Sequence, residues 1–398
     1  MIERNKARPE VGIYVGRGAS HSWTWFADIF DRAGYYDVSF LNEGDVDDGA
    51  LAFCDVFFVS GGDTFAVAEG LGRNGAEQIE KFVRNGGTYI GACAGAYLPL
   101  NSSLSPLNMF NFVHARITNI SKNLPAPKIK AEKFCTEYGC QYVFHPVREE
   151  VSVKLKGWGT GRNGSIRAPL YGGPVLLPSE DIEVLAEYDG FTGKTEFLID
   201  EDIARKTIIG NVAAASKKLG KGMFYLFGPH FEHPDFPDAN QILFKILFDS
   251  ELCTQRDNFK ESSTAPGYVS SSTKKIFRTF LSEISNARIA ALALERTSYK
   301  WLIGKKVYDP EKIRVFLEAI WGRARYLESK EGYKYISEHE MAVLIKFSKE
   351  ITGCLRQLRS ESEPSQQESN AAKHLFFNLR EAASKFLSIY FRIKLVMS

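Results

Sequence analysis

Short apolar runs and amphipathic stretches alternate along roughly the first 250 residues of the chain. "VGIYVG" at 11–16 is an apolar run followed by a Gly/Ser turn. Trp25, Phe26, Ile29 and Phe30 then recur on one helical face. "DVSFL" and "CDVFFVS" predict two further strands. "EQIEKFVRNGG" predicts a helix with Ile79, Phe82 and Val83 on its apolar side and a glycine pair as its stop signal. "TYIGA" reads as the next strand, and the segment around Cys93 runs into another helix. Strands that alternate with helices predict an α/β unit, a mostly parallel sheet flanked by helices.

From about residue 140 the pattern becomes more purely strand-like, in "CQYVFHPV", "EVSVKL", "RAPLYGGPVLL" and "IEVLAEY". "TIIGNVAAASKKLGKGMFYLFG" predicts two strands joined at "KLGKG", and "DANQILFKILFDS" closes the region as a helix. A Ser-rich stretch punctuated by Pro and Gly follows and predicts a linker at 256–273. Beyond it the pattern is wholly helical. Phe277, Phe280, Leu281 and Ile284 share a face, as do Ile313, Phe316, Leu317 and Ile320, then Met341, Leu344, Ile351 and Leu355. After "SESEPSQQES" a last helix carries Leu375, Leu379, Phe386 and Ile393. The expected organisation is an α/β domain at 1–255, the linker, and an all-α domain at 274–398.

Composition sharpens this picture in three places. Of 398 residues, 44% are hydrophobic and 25% charged, as in a globular domain, and no apolar stretch is long enough to span a membrane. The first residues lack the apolar core of a signal peptide. The six cysteines are scattered rather than arranged as a disulfide framework, so a cytoplasmic setting is expected. Cys135 and Cys140 are the only close pair, and their spacing lacks a second ligand pair for zinc. The net charge of +2 splits into +9 from residue 274 onward and −7 before it. "KK" at 274–275 and 305–306 and "WGRARY" at 321–326 could meet nucleic acid or an acidic partner; solvated bundle faces are the commoner use of such charges.

The chemistry-bearing residues cluster in three motifs. In "GGTYIGACAGAYL" Cys93 stands between Gly91 and Gly95 where a strand turns sharply into a helix. That is the spacing of a nucleophile elbow, with Cys in place of Ser. The helix start would lower the thiol pKa, and the Ala94 amide could help hold an oxyanion. A buried structural cysteine is the competing reading. In "YLFGPHFEHPDF" His230 and Glu232 follow a strand two residues apart, so the carboxylate could steady an imidazole base. His230, Glu232, His233 and Asp235 also permit a metal reading, though without a second ligand group. In "FFVSGGDTF" a strand ends at Gly61 and Gly62, bringing bare backbone to the same sheet edge, or simply turning into a helix capped by Asp63 or Thr64.

These motifs in this order resemble the class I glutamine amidotransferase superfamily, and the resemblance implies a flavodoxin-like α/β fold. More closely, "GIYVGRGAS", "VSGGDTFAVAEGL", "GGTYIGACAGAYL", "LYGGPVLL" and "LFGPHFE" are similar to the amidotransferase-like domain at the N-terminus of biotin–protein ligases, over roughly residues 10–250. The resemblance implies Cys93 as nucleophile, His230 as base and Glu232 as its orienter. It implies oxyanion or substrate contacts at Gly61, Gly62 and Ala94, and at a loop of Tyr171, Gly172 and Gly173. Phe231 replaces the family's usual proline in "HFE". The adenylate loop and Lys-Trp-Pro-Asn segment of the ligase domain are absent from the sequence, as is a P-loop or synthetase domain to consume ammonia. The expected function is therefore a cysteine-dependent hydrolase or amidotransferase acting on a C–N amide bond of a small molecule or peptide. It would need no cofactor or metal, and an ammonia-accepting or regulatory protein could partner it. The alternative is a binding module that keeps the fold without turnover, with the helical domain as its partner-binding element.

Overall fold

The computed structural model describes residues 8–127, 142–156, 164–248, 271–297, 299–360 and 369–397. By packing, the chain forms two units. The first comprises residues 1–29, 41–255 and Gly304–Lys306, and the second Phe30–Phe40, Arg256–Ile303 and Val307–Ser398.

The chain opens with β1 (Val11–Tyr14), α1 (Trp23–Arg32), β2 (Val38–Leu41), α2 (Glu43–Asp47), β3 (Val56–Val59), α3 (Thr64–Arg84), β4 (Thr88–Ala92) and the single turn α4 (Ala94–Tyr97). The strands β5 (Val147–Arg148), β6 (Glu150–Leu155), β7 (Ser165–Pro169), β8 (Glu183–Phe191) and β9 (Glu196–Phe197) follow. A helix at Glu201–Ile208 leads to β10 (Val212–Leu219) and β11 (Gly222–Phe227), and a helix at Pro237–Leu247 comes after them. The main sheet has the strand order β2-β1-β3-β4-β11-β10-β8-β6-β7.

This sheet changes character at β11. β1, β3, β4 and β11 run parallel, whereas β11, β10, β8, β6 and β7 pair antiparallel. The burial follows that division. Every residue of β1, β3 and β4 is buried, as a sheet covered on both faces requires. β6 and β7 mix buried and exposed positions, the mark of a strand with one wet face. α3 is the expected helix, extended backwards to Thr64, with Asp63 accepting from the amides of Phe65 and Ala66 as its cap. Its apolar face, including Leu71, Ile79 and Val83, is buried.

Some strand expectations fail locally. "TII" ends the Glu201–Ile208 helix instead of starting a strand, because Asp200 caps that helix through the amides of Asp202 and Ile203. Of "CQYVFHPV", only Val147 lies in a strand; Val143 makes an isolated bridge to Ile120, the rest of 142–146 is irregular, and Cys140 and Gln141 lie outside the described residues.

The second unit carries helices at Ser271–Glu295, Pro310–Ser329, Glu338–Ser360 and Asn370–Met397. The first and last each pack on both middle helices. The apolar faces read from spacing supply its core: Phe280, Ile284, Phe316, Ile320, Leu344, Leu355 and Phe386 are all buried. The first of these helices begins at Ser271, three residues before the expected boundary at 274; residues 256–270 of the expected linker lie outside the described residues. The region is also not wholly helical. β12 (Trp301–Ile303) and β13 (Lys306–Tyr308) form a two-stranded ribbon turned at Gly304, whose φ is +64°. Arg323 is buried in this unit, with Nε 2.9 Å from Asp31 Oδ2 and Nη1 3.0 Å from the Ala319 carbonyl. Tyr390 donates its hydroxyl to the other oxygen of Asp31 at 3.1 Å. Among the described residues no helix is long and apolar enough to cross a membrane.

Candidate active site

The elbow is a strained turn. β4 ends at Ala92, and Cys93 takes φ 53° and ψ −109° before α4 begins. A non-glycine residue accepts a positive φ only when its surroundings over-determine it. Here the Cys93 amide donates to the Phe227 carbonyl at the end of β11 (2.9 Å), and the Gly95 amide to the Ser60 carbonyl at the end of β3 (3.1 Å). A side chain at Gly95 would run into the Val59 carbonyl, which is why this position is bare. The elbow is thus tied to both neighbouring strands, and Cys93 is left 7% exposed.

His230 and Glu232 lie in the loop after β11, both almost wholly buried. They were expected to share a face through the two-residue period of a strand. Their backbone is instead a tight turn, in which the His233 amide donates to the His230 carbonyl at 3.2 Å, and this turn folds the carboxylate back onto the ring. His230 Nδ1 is 2.7 Å from Glu232 Oε1, and the His230 ring and the Cys93 thiol act on each other's charge. Phe231, between His230 and Glu232, is buried against Phe227 with ring centroids 4.8 Å apart and packs into the core.

Electrostatics couple the pair. Burial alone pushes the thiol pKa up, but the charge and hydrogen bond of His230, helped by the charge of Lys306, pull it below its ordinary value. Burial likewise works against the imidazolium, and Glu232 and Cys93 outweigh it, raising the His230 pKa well above the usual histidine range. The expected source of thiol activation was the helix start. α4 is a single turn, too short for an appreciable macrodipole, and the histidine does that work instead.

The other residues picked out in the sequence gather around this row. A Cβ at Gly61 would sit 2.7 Å from His230 Cε1 and 2.8 Å from Ser22 Oγ, so the imidazole rests against bare backbone. A Cβ at Gly62 would sit 2.1 Å from the Gly18 carbonyl oxygen, and Ala94 opens α4 directly after Cys93. The Tyr171 ring lies 5.6 Å from the His230 ring and donates its hydroxyl to Glu149 Oε2 at 3.1 Å. Gly172, at φ +97°, passes against the His145 ring, and Gly173 accepts from Asn119 Nδ2 at 3.4 Å. Tyr171 also lines a cavity of about 550 Å³, together with Glu149, Glu150, Arg167, Lys194 and His233.

Several neighbours escaped the sequence reading. Ser60 Oγ lies 2.8 Å from both Glu232 Oε1 and Ser22 Oγ, so the oxygen that faces the histidine also receives a hydroxyl. Glu232 Oε2 has no hydrogen-bond partner among the described residues. Trp25 sets its ring edge-on to His230 at 5.3 Å. The His145 pKa is lowered to about 3 by burial, with Lys306 adding to it, so that ring is neutral at physiological pH. Ser60 stood inside the quoted "VSGGDTF", yet nothing local marks a serine as a carboxylate partner. Among the described residues no cluster of three or more His, Cys, Asp or Glu side chains is arranged to hold a metal, and the metal reading of His230 to Asp235 gives way to the His230–Glu232 pair. The Cys135–Cys140 pair lies outside the described residues.

Residues 10–103 match the family model "Biotin-protein ligase, N terminal". That span holds the Gly61–Gly62 turn and the elbow. No curated protein matches. Among solved structures, a glutamine amidotransferase is 16% identical, with a TM-score of 0.40, over 60% of this chain and 98% of that one. A second, from Thermotoga maritima, is 10% identical with a TM-score of 0.34, over 61% and 88%. A β-galactosidase from Bacillus circulans sp. alkalophilus is 14% identical with a TM-score of 0.34, over 61% of this chain and 32% of that one.

Proposed function

We propose that this protein is a cysteine-dependent enzyme that breaks a C–N amide bond. The observation that carries this reading is the buried row of Cys93, His230 and Glu232, with the nucleophile held at a positive φ at the edge of the parallel strands. The Cys93 thiolate attacks the amide carbonyl carbon, forming a C–S bond and an oxyanion held by the amides of Gly62 and Ala94. His230 gives its proton to the leaving nitrogen, the C–N bond breaks, and ammonia or an amine departs. Water then attacks the thioester while His230 takes its proton; the C–S bond breaks, and a carboxylic acid and the thiolate result. Glu232, steadied by Ser60, keeps the ring oriented throughout. Tyr171 stands against the His230 ring and lines the 550 Å³ cavity, which supports a substrate-contact role for the Tyr171–Gly173 loop. No cofactor enters these steps. With glutamine as substrate, the ammonia passes to a separate acceptor protein, and the scattered cysteines fit a cytoplasmic setting.

A second reading has its own support. Cys93 is 7% exposed, and neither it nor His230 lines that cavity, as a binding module without turnover would have it. A single assay separates the two: ammonia release from glutamine and a panel of primary amides by the full chain and by its Cys93→Ala variant. Release that vanishes with Cys93→Ala supports the enzyme. Equal backgrounds across the panel favour the binding module.

A further inference from the structure

The turn that carries His230 and Glu232 is gripped from outside by a single side chain. Its backbone closes through the His233 amide and the His230 carbonyl at 3.2 Å, and the His230 amide donates to the Pro169 carbonyl at the end of β7 at 2.9 Å. Nδ2 of Asn240 then donates to the Phe231 carbonyl at 2.7 Å and to the His233 carbonyl at 3.0 Å. These two carbonyls stand before and after Glu232 along the chain. Both partners are acceptors, so position 240 must supply two protons from one atom. A primary amide does this, and a single hydroxyl or a carboxylate does not.

The amide is costly where it stands. Asn240 lies near the start of the helix at Pro237–Leu247, and its own backbone amide joins the Phe236 carbonyl at 3.0 Å. Around it the helix buries Ala239, Ile242, Leu243 and Ile246, so that face is otherwise apolar. Asparagine is a poor helix former, and burying an amide costs its hydration; Asn240 is 8% exposed. Its two bonds to the turn offset that cost. They also supply what the carboxylate lacks. Glu232 Oε1 meets both His230 Nδ1, at 2.7 Å, and the Ser60 hydroxyl, at 2.8 Å, while Oε2 has no hydrogen-bond partner among the described residues. A carboxylate bonded through one oxygen pivots about it unless its main chain is fixed.

We propose that Asn240 is a positioning residue, which clamps the Phe231 and His233 carbonyls, fixes the Glu232 carboxylate against His230 and so holds the imidazole in the orientation the reaction uses. This inference rests on the enzymatic reading above and adds to it a residue from a helix that carries none of the three motifs. Asn240 acts through the turn and touches no reacting atom.

The test follows two readouts in the full chain. One is the downfield proton resonance of the His230–Glu232 hydrogen bond, assigned by its absence in His230→Ala; the other is the rate at which iodoacetamide labels Cys93. Asn240→Ala abolishes or broadens the resonance and slows labelling by about tenfold, the effect of one or two lost hydrogen bonds. Asn240→Asp, which keeps the shape but turns donors into acceptors, does the same. Ile242→Val trims one buried methyl from the same helix, so it lowers the urea unfolding midpoint and leaves resonance and rate as in the wild type. Resonance and rate retained in Asn240→Ala, or lost equally in Ile242→Val, overturn the clamp and leave the proposed chemistry standing. If neither Asn240 variant folds, Asn240 is a folding element and the proposal is likewise overturned. Wild-type labelling that ignores His230→Ala overturns the enzymatic reading, and this inference with it.

Discussion

Each unit buries a charged cluster, and the two are built on opposite principles. In the helical unit Asp31 has both oxygens engaged, by Arg323 and Tyr390, and Arg323 also donates to the Ala319 carbonyl. In the α/β unit Glu232 has one oxygen shared by His230 and Ser60 and the other without a partner among the described residues. Beside it Cys93 holds a backbone conformation that L side chains rarely adopt. A saturated cluster over ordinary helical backbone reads as structure. An incompletely satisfied cluster next to strained backbone reads as chemistry, because burial and strain cost stability that packing alone does not return.

Breaking each cluster should separate these roles. The largest effect is expected from Glu232→Gln, which removes the charge that holds His230 and should slow alkylation of Cys93 by on the order of 10²-fold. Arg323→Met should leave that rate unchanged, and stopped-flow labelling of both variants makes the comparison. The stability ledger should show the reverse preference. Arg323→Met leaves Asp31 half-paired and should lose about 3 kcal/mol in urea unfolding, most of it recovered when Asp31→Leu is added.

The pH dependence sharpens the same contrast. The groups acting on the Cys93 thiol are His230, Lys306 and Glu232, with a net pull downward. A lowered pKa means that labelling should climb with pH and level off earlier than for an ordinary cysteine thiol. In His230→Ala the opposing burial remains and the midpoint should move up, past that of an ordinary cysteine. A midpoint unchanged by the variant would uncouple the pair. The smallest effect concerns strain. Cys93→Gly should be more stable than Cys93→Ala by about 1 kcal/mol, since only glycine takes this conformation freely; equal unfolding midpoints would show an unstrained elbow.

Much of this architecture was legible in local patterns. The alternation of strand and helix, the bare residues around Cys93, the glycine pair and the His-x-Glu spacing all depend on near neighbours, and periodicity reports near neighbours well. Even the β12–β13 ribbon left a trace, since "WLIGKKVY" places apolar runs on either side of a glycine, although runs of three residues are too short to stand out from helical surroundings. The reversal from parallel to antiparallel pairing at β11 left none, because strand direction is set by partners and not by composition.

The amino-acid sequence alone determined which residues could perform chemistry and which short turns would present them. Tertiary structure decided what each one meets. Ser60 reaches Glu232 across 172 residues, and Lys305 reaches Asp63 across 242. Such pairings exist only once the sheet has assembled, for the strand order sets distances that spacing along the chain does not encode. The same holds for the charge state of Cys93. A cysteine between glycines is permitted to be reactive by its sequence; the imidazole brought beside it in a buried, low-dielectric site is what lowers its pKa.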